Sequence, residues 1–304
     1  MSIDFPKDFP TEENMLEILH KTIEKSWKID LSALDIEEWL NNFTGKVFSI
    51  EEERRLALWL LCNYTYYSPS DVNHLCRVLY NKFIHDFIVR NSIRVDQVES
   101  ELKNIHFSSI GSASESGGLL LYHFRQEANL TLDRFFYPTN LETDKNSTIV
   151  FIDDATLSGG TGSRNYFDKL QNIEYKQAYY LTIIASEEAI NKLKEKGIIV
   201  ICCALVDSRN KCFSTDSMVF NRFPELLSYS KKLAEDYGGK IIEPGSKAKP
   251  LGYKDGEFCF GFYYNTPNNT LPIFWSNYNW NPVFPRKEKL QNARQLHFNP
   301  CKYI

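Results

Sequence analysis

Asp153 and Asp154 stand side by side behind the apolar run Ile149-Val150-Phe151-Ile152. They are followed at once by Ala155-Thr156-Leu157-Ser158-Gly159-Gly160-Thr161. Two adjacent carboxylates that face one site repel each other unless something neutralises them. Hard oxygen ligands of this kind suit Mg²⁺, which bridges carboxylates, waters and substrate phosphates. The loop that follows suits a phosphate. Its glycines let the backbone approach closely, and successive backbone N–H groups form a concave anion site. A helix start behind it adds partial positive charge, and Thr156, Ser158 and Thr161 offer hydroxyl donors. No lysine completes a G-x-x-x-x-G-K pattern, so the loop is not that of nucleotide hydrolases. The competing reading is a plain strand–turn–helix with an acidic N-cap.

Such residues need a frame. Thr148 to Ile152 reads as a buried parallel strand with the acids at its carboxyl end, the edge at which open α/β sheets gather ligands. A helix is expected from about Gly162 to Leu170. Phe107 to Ile110, Arg134 to Tyr137, Ala178 to Ile184 and Ile198 to Val206 read as further strands. Gly118 to Gln126 and Glu187 to Lys196 read as helices between them. The alternation predicts a mainly parallel sheet flanked by helices. The first hundred residues read as helical: Thr11 as N-cap with Glu12 and Glu13 in the first turn, Ile50 to Tyr66, a helix from Ser70-Asp71, and Val95 to Lys103. Beyond Asp207, a helix near Glu225 to Tyr237 and a strand at Phe258 to Tyr264 are expected. The resulting division is a helical region 1–104, an α/β core with hood 105–275, and a tail 276–304.

The strand, the acid pair and the Thr/Ser-Gly-Gly-Thr loop resemble the signature of type I phosphoribosyltransferases. That resemblance implies binding of 5-phosphoribosyl-1-pyrophosphate with Mg²⁺ as cofactor. Asp153 and Asp154 would meet the ribose hydroxyls and the metal and serve as the catalytic pair. Thr156, Leu157, Ser158, Gly159, Gly160 and Thr161 would wrap the 5-phosphate. Ser116, Gly117 and Gly118, which follow the strand Phe107 to Ile110, would hold the pyrophosphate through backbone amides. An ordinary Ser/Gly connection is the other reading of that loop. The family also carries a mobile basic loop between its second and third strands. Here Pro138 to Ser147 offers only Lys145, with Arg134 and Arg125 as the other cations.

Near the carboxyl end, Pro250-Leu251-Gly252-Tyr253 and Asn265-Thr266-Pro267-Asn268-Asn269-Thr270-Leu271-Pro272-Ile273-Phe274-Trp275 resemble phosphoribosyltransferase-like proteins of bacterial conflict (anti-phage) operons, some beside retron reverse transcriptases. The implied setting is phage defence, with a reverse transcriptase or another defence-operon protein as partner. The Asn-rich element either recognises a base or partner, or is a polar turn packed by Trp275. Asp207 and Arg209 either recognise an acceptor or form a surface turn. A sensor that binds nucleotide or phosphosugar without turnover, and cleavage of a nucleotide or NAD at its ribose carbon, are the alternative functions.

Composition narrows the classes. The 304 residues carry a net charge of -4, and no Lys/Arg run stands out, so direct nucleic-acid binding is not indicated. Seven cysteines, none in a C-x-x-C pair, imply a reducing, cytoplasmic setting. Neither a signal core nor a membrane span is expected. The histidines lack metal-ligand spacing. Cys202 and Cys203 read as strand residues, and Trp59, Tyr64, Tyr66 and Tyr67 as helical core.

Overall fold

The structure, a computed structural model, describes residues 2–110, 116–136, 144–160, 170 and 173–286. The expected helix from Gly162, Thr161, Tyr137 and the tail beyond Arg286 lie outside these, apart from Leu170. In chain order the elements are α1 (Glu12–Thr22), α2 (Ile36–Leu40), α3 (Ile50–Cys62), β1 (Thr65–Tyr67), α4 (Pro69–Arg90), α5 (Val98–Lys103), β2 (Ile105–Ser109), α6 (Ser116–Glu127), β3 (Thr148–Thr156), β4 (Gln177–Ser186), α7 (Glu187–Lys194), β5 (Ile198–Val206), α8 (Leu227–Gly238), β6 (Phe260–Phe262) and α9 (Pro272–Trp275). They fall into two units, Pro69–Asp207 on one side and Met1–Ser68 with Ser208–Ile304 on the other. No helix among the described residues is long and apolar enough to cross a membrane.

The first unit holds a four-stranded sheet in the order β2-β3-β4-β5, parallel throughout. This is the α/β arrangement expected from the alternation of elements. Its strands are near-continuous apolar runs because both faces are covered. On one face Phe83 of α4 packs edge-on against Tyr179 at 5.0 Å and Phe107 at 6.0 Å, and Phe124 of α6 lies 5.6 Å from Phe107. On the other, Ile149, Phe151, Tyr180 and Ile198 form a core with Leu170 and with Leu193 of α7. Arg134 to Phe136, the described part of the expected strand Arg134 to Tyr137, does not form one. Leu132–Arg134 forms a 3-10 turn, and the chain meets the sheet only briefly, with an isolated bridge from Phe135 to Phe107, Phe136 N donating to Phe107 O at 3.1 Å and Ser108 Oγ donating to Phe136 O at 3.0 Å.

The second unit is mainly helical. The N-cap at Thr11 is observed, its hydroxyl accepting from Asn14 N at 3.3 Å. Ser49 and Glu52 close a capping box at the start of α3. That helix stops at Cys62, earlier than expected, because Thr65–Tyr67 turns extended and pairs in parallel with Phe260–Phe262. Glu53, fully buried, accepts from Gly45 N, Val47 N and Phe48 N at 2.7, 2.6 and 3.1 Å and from the Tyr237 hydroxyl at 2.6 Å. It ties the 45–48 turn to α3 and α8.

The Asn-rich element is a polar turn in this unit. Asn269 Nδ2 donates to Tyr253 O at 2.9 Å, Tyr253 N donates to Asn268 O at 2.7 Å, and the buried Trp275 indole donates to Thr270 O at 2.8 Å. The Asn269 amide, which could have read a base, thus holds the turn to Tyr253, and the indole closes the turn on itself through Thr270.

Candidate functional site

β3 is longer than its apolar run. It continues through both acids to Thr156, pairing Asp153 with Thr182, Ala155 with Ile184 and Thr156 with Ala185 on β4. The acids therefore sit within the strand and not beyond its end. On the other side β2 stops at Ser109, opposite Ile152, and the last link is Ile110 N to Ile152 O at 3.2 Å. Past Ile152 no strand among the described residues lies beside the β2 edge of β3. The N–H of Asp154 is taken instead by Asp153 Oδ1 at 3.0 Å, and that of Ala155 by Asp154 Oδ1 at 2.8 Å. The acid pair thus occupies the stretch where one neighbouring strand has ended and the other continues.

Both carboxyl groups are deep, with Asp153 6% and Asp154 5% exposed. Asp153 Oδ2 accepts from the Tyr180 hydroxyl at 2.7 Å. Burial first, and then the charge of Asp154, push the Asp153 carboxyl well above its ordinary value, and a hydrogen bond from carboxyl to carboxyl adds to the rise. The Tyr180 hydroxyl and the Asp154 amide oppose the shift without cancelling it. Burial and the same acid raise Tyr180 in turn. Burial and mutual repulsion thus disfavour ionisation of both carboxyls together, a penalty that a cation beside them would relieve. Thr156, 3% exposed, bonds Tyr180 through its hydroxyl, so it joins this network.

The helix start expected to hold pyrophosphate is adjacent. α6 opens at Ser116, and Gly117 lies against the end of β2: a Cβ there would stand 2.6 Å from Ile110 O and 3.5 Å from Ile152 O. Gly118 follows in the same first turn. Only glycine allows this approach, so Gly117→Ala is expected to cost about 1–3 kcal/mol of stability and to weaken pyrophosphate binding together. Thermal unfolding and calorimetry check this; an alanine variant with unchanged melting temperature would show the close approach to be misplaced.

The glycine turn follows β3 directly. Leu157 is buried, Ser158 Oγ accepts from Gly160 N at 3.4 Å, and Gly159 adopts φ +63°. Two residues that the sequence did not single out fasten it. Ser186 Oγ donates to Leu157 O at 2.6 Å, and Lys192 Nζ donates to Ser158 O at 3.2 Å. Neither carries a local signal. Ser186 reads as a helix cap, and Lys192 as one charge on a solvated helix face. Tyr180 was equally hidden, as one apolar residue of a strand.

The cations named from the sequence go elsewhere. Arg134 Nε donates to Ile105 O at 2.9 Å, at the amino end of β2. Burial lowers its pKa, and its guanidinium lies 5.6 Å from the Phe107 ring centre. Lys145 pairs with Glu174 at 3.7 Å just ahead of β3. Arg125 is in the last turn of α6, some 14 Å along the helix from its start. All three lie at the edge opposite the acids.

For a metal, the donor set is two adjacent carboxyls; among the described residues no cluster of three or more His, Cys, Asp or Glu occurs. This fits Mg²⁺, which binds through one or two carboxylates and keeps waters and substrate oxygens. It does not fit a closed structural zinc site.

A parallel sheet between two helical layers, with an acid pair and a glycine turn at the carboxyl-end side of one strand, has the form of a phosphoribosyltransferase-like fold. The PRTase-CE family model matches residues 36–286, and the chain belongs to that family. It is a phosphoribosyltransferase-like protein. No curated protein matches the chain.

Proposed function

We propose that the protein binds 5-phosphoribosyl-1-pyrophosphate with Mg²⁺ at β3, and that it serves as an effector in anti-phage defence. The observation that carries the ligand is the buried acid pair set between the glycine turn and the start of α6. In this reading Asp153 and Asp154 orient the ribose hydroxyls and stabilise the positive charge that develops on the sugar as its C1–oxygen bond to pyrophosphate breaks. Tyr180 keeps Asp153 in place. Within the turn Thr156–Gly160 the backbone amides of Ser158 and Gly159 hold the 5-phosphate, and those of the first turn of α6 hold the pyrophosphate. Asp153 and Asp154 would also hold Mg²⁺, whose chemistry there is to offset the charge of the leaving pyrophosphate. The defence role, and a reverse transcriptase or another operon protein as partner, rest on the resemblance of the 250–253 and 265–275 segments.

One observation favours a second reading. Arg134, Lys145 and Arg125 all lie away from the acids, so in this arrangement none of them is placed for closure over a departing pyrophosphate. A sensor that binds the sugar phosphate and switches a partner needs no such closure.

Incubation with substrate labelled in its pyrophosphate separates these readings. Saturable binding with release of label supports transfer or hydrolysis, and saturable binding without release supports the sensor. Absence of binding, with base released from NAD instead, would replace both by ribosyl cleavage.

A further inference from the structure

The turn after β3 is held from outside by α7. Ser186 caps that helix, accepting from Ala189 N at 3.1 Å, and its hydroxyl proton goes to Leu157 O at 2.6 Å. One residue further along the turn, Ser158 O accepts from Lys192 Nζ at 3.2 Å. Gly159 lies flat on the helix: a Cβ there would stand 3.3 Å from Lys192 Cβ and 3.4 Å from Ala189 Cα. A side chain at Gly159 would lift the turn off α7, quite apart from its positive φ.

These contacts fix the direction of the amides. In a trans peptide the C=O of one residue and the N–H of the next point opposite ways. With the carbonyls of Leu157 and Ser158 both drawn toward α7, the N–H groups of Ser158 and Gly159 both turn to the far side of the loop. Two successive N–H groups aimed the same way form a concave site for an anion. Lys192 also pairs with Glu188, which offsets its charge, so its main effect is on orientation rather than on the local potential.

We propose that Lys192 and Ser186 are positioning residues for the sugar 5-phosphate: they hold two loop carbonyls outward so that the following amides face the phosphate. This rests on the reading of the turn as the 5-phosphate cup. Lys192 is half-exposed, so its replacement is not expected to unfold the chain.

The test measures ribose 5-phosphate and inorganic pyrophosphate separately by calorimetry, on the full chain. Lys192→Met is expected to weaken ribose 5-phosphate about tenfold, the size of one charge-assisted hydrogen bond, and to leave pyrophosphate affinity unchanged. Ser186→Ala is expected to act in the same direction, and Lys192→Arg to restore most of the loss. Equal affinity for ribose 5-phosphate in Lys192→Met and the unsubstituted chain overturns the inference while the site assignment stands. A parallel loss of both ligands also overturns it, because a merely structural lysine would disturb both. Absence of ribose 5-phosphate binding by the unsubstituted chain removes the cup itself and this inference with it.

Discussion

A chain carrying Asp153→Asn together with Asp154→Asn is expected to bind the sugar pyrophosphate about a hundredfold more weakly, or worse, and yet to unfold at a higher temperature. The two effects have one cause. Each carboxylate contributes charge-assisted contacts to a ligand, at roughly 1.5–3 kcal/mol apiece. Without a ligand the same groups are buried against each other, and the folded chain keeps a proton on Asp153 to higher pH than the unfolded chain does. The folded-state pKa is raised, so the folded chain binds more protons than the unfolded chain between the two values. The contribution of Asp153 to stability is therefore most favourable in acid and falls as the pH rises from the ordinary aspartate range through the raised value. Two amides remove that decline. A gain of about 1 kcal/mol, a few degrees in melting temperature, is expected near neutral pH, shrinking toward zero near pH 4. Melting curves across that range check it. A double variant less stable than the parent at neutral pH would mean that the pair is a structural network and not a poised ligand site.

The second large effect lies in the helical unit. Glu53→Ala is expected to cost about 3–5 kcal/mol, roughly 10 °C in melting temperature, because three backbone N–H groups and the Tyr237 hydroxyl lose an acceptor that is itself fully buried. Glu53→Gln keeps one acceptor oxygen but turns an NH₂ toward donors, so an intermediate loss is expected. A fall of less than 3 °C for the alanine variant would show that water replaces the carboxylate without strain. Ligand affinity in the sheet unit should be untouched where Glu53→Ala remains folded, which separates this prediction from the first.

Much of the frame was legible because a parallel strand covered on both faces must be a run of apolar residues. Ala178 to Ile184 is such a run, and the strand there, Gln177–Ser186, is buried from Ala178 to Ala185. β3 was legible only as far as its apolar residues go. Its last four, Asp153 to Thr156, are extended because β4 continues alongside, a fact about residues 182–185 that no local pattern contains. The same gap hid Tyr180, whose bond to Asp153 spans 27 positions. The helices Ile50–Cys62 and Pro69–Arg90 look alike in sequence, yet contacts place the second with the sheet. The glycine at 159 announced a turn, whereas the helix that holds this turn came from packing. The cations were misleading for a physical reason: position in the chain between two strands does not say which edge of the sheet a side chain reaches.

The claim on which the rest depends is that the acid pair and the turn behind it together receive a phosphorylated pentose. Calorimetric titration of the unsubstituted chain with 5-phosphoribosyl-1-pyrophosphate and Mg²⁺, repeated in two buffers of different ionisation enthalpy, tests it directly. The predicted result is one saturable site per chain, with heats that differ between the buffers because Asp153 gives up its proton on binding. Absence of a saturable heat would contradict it.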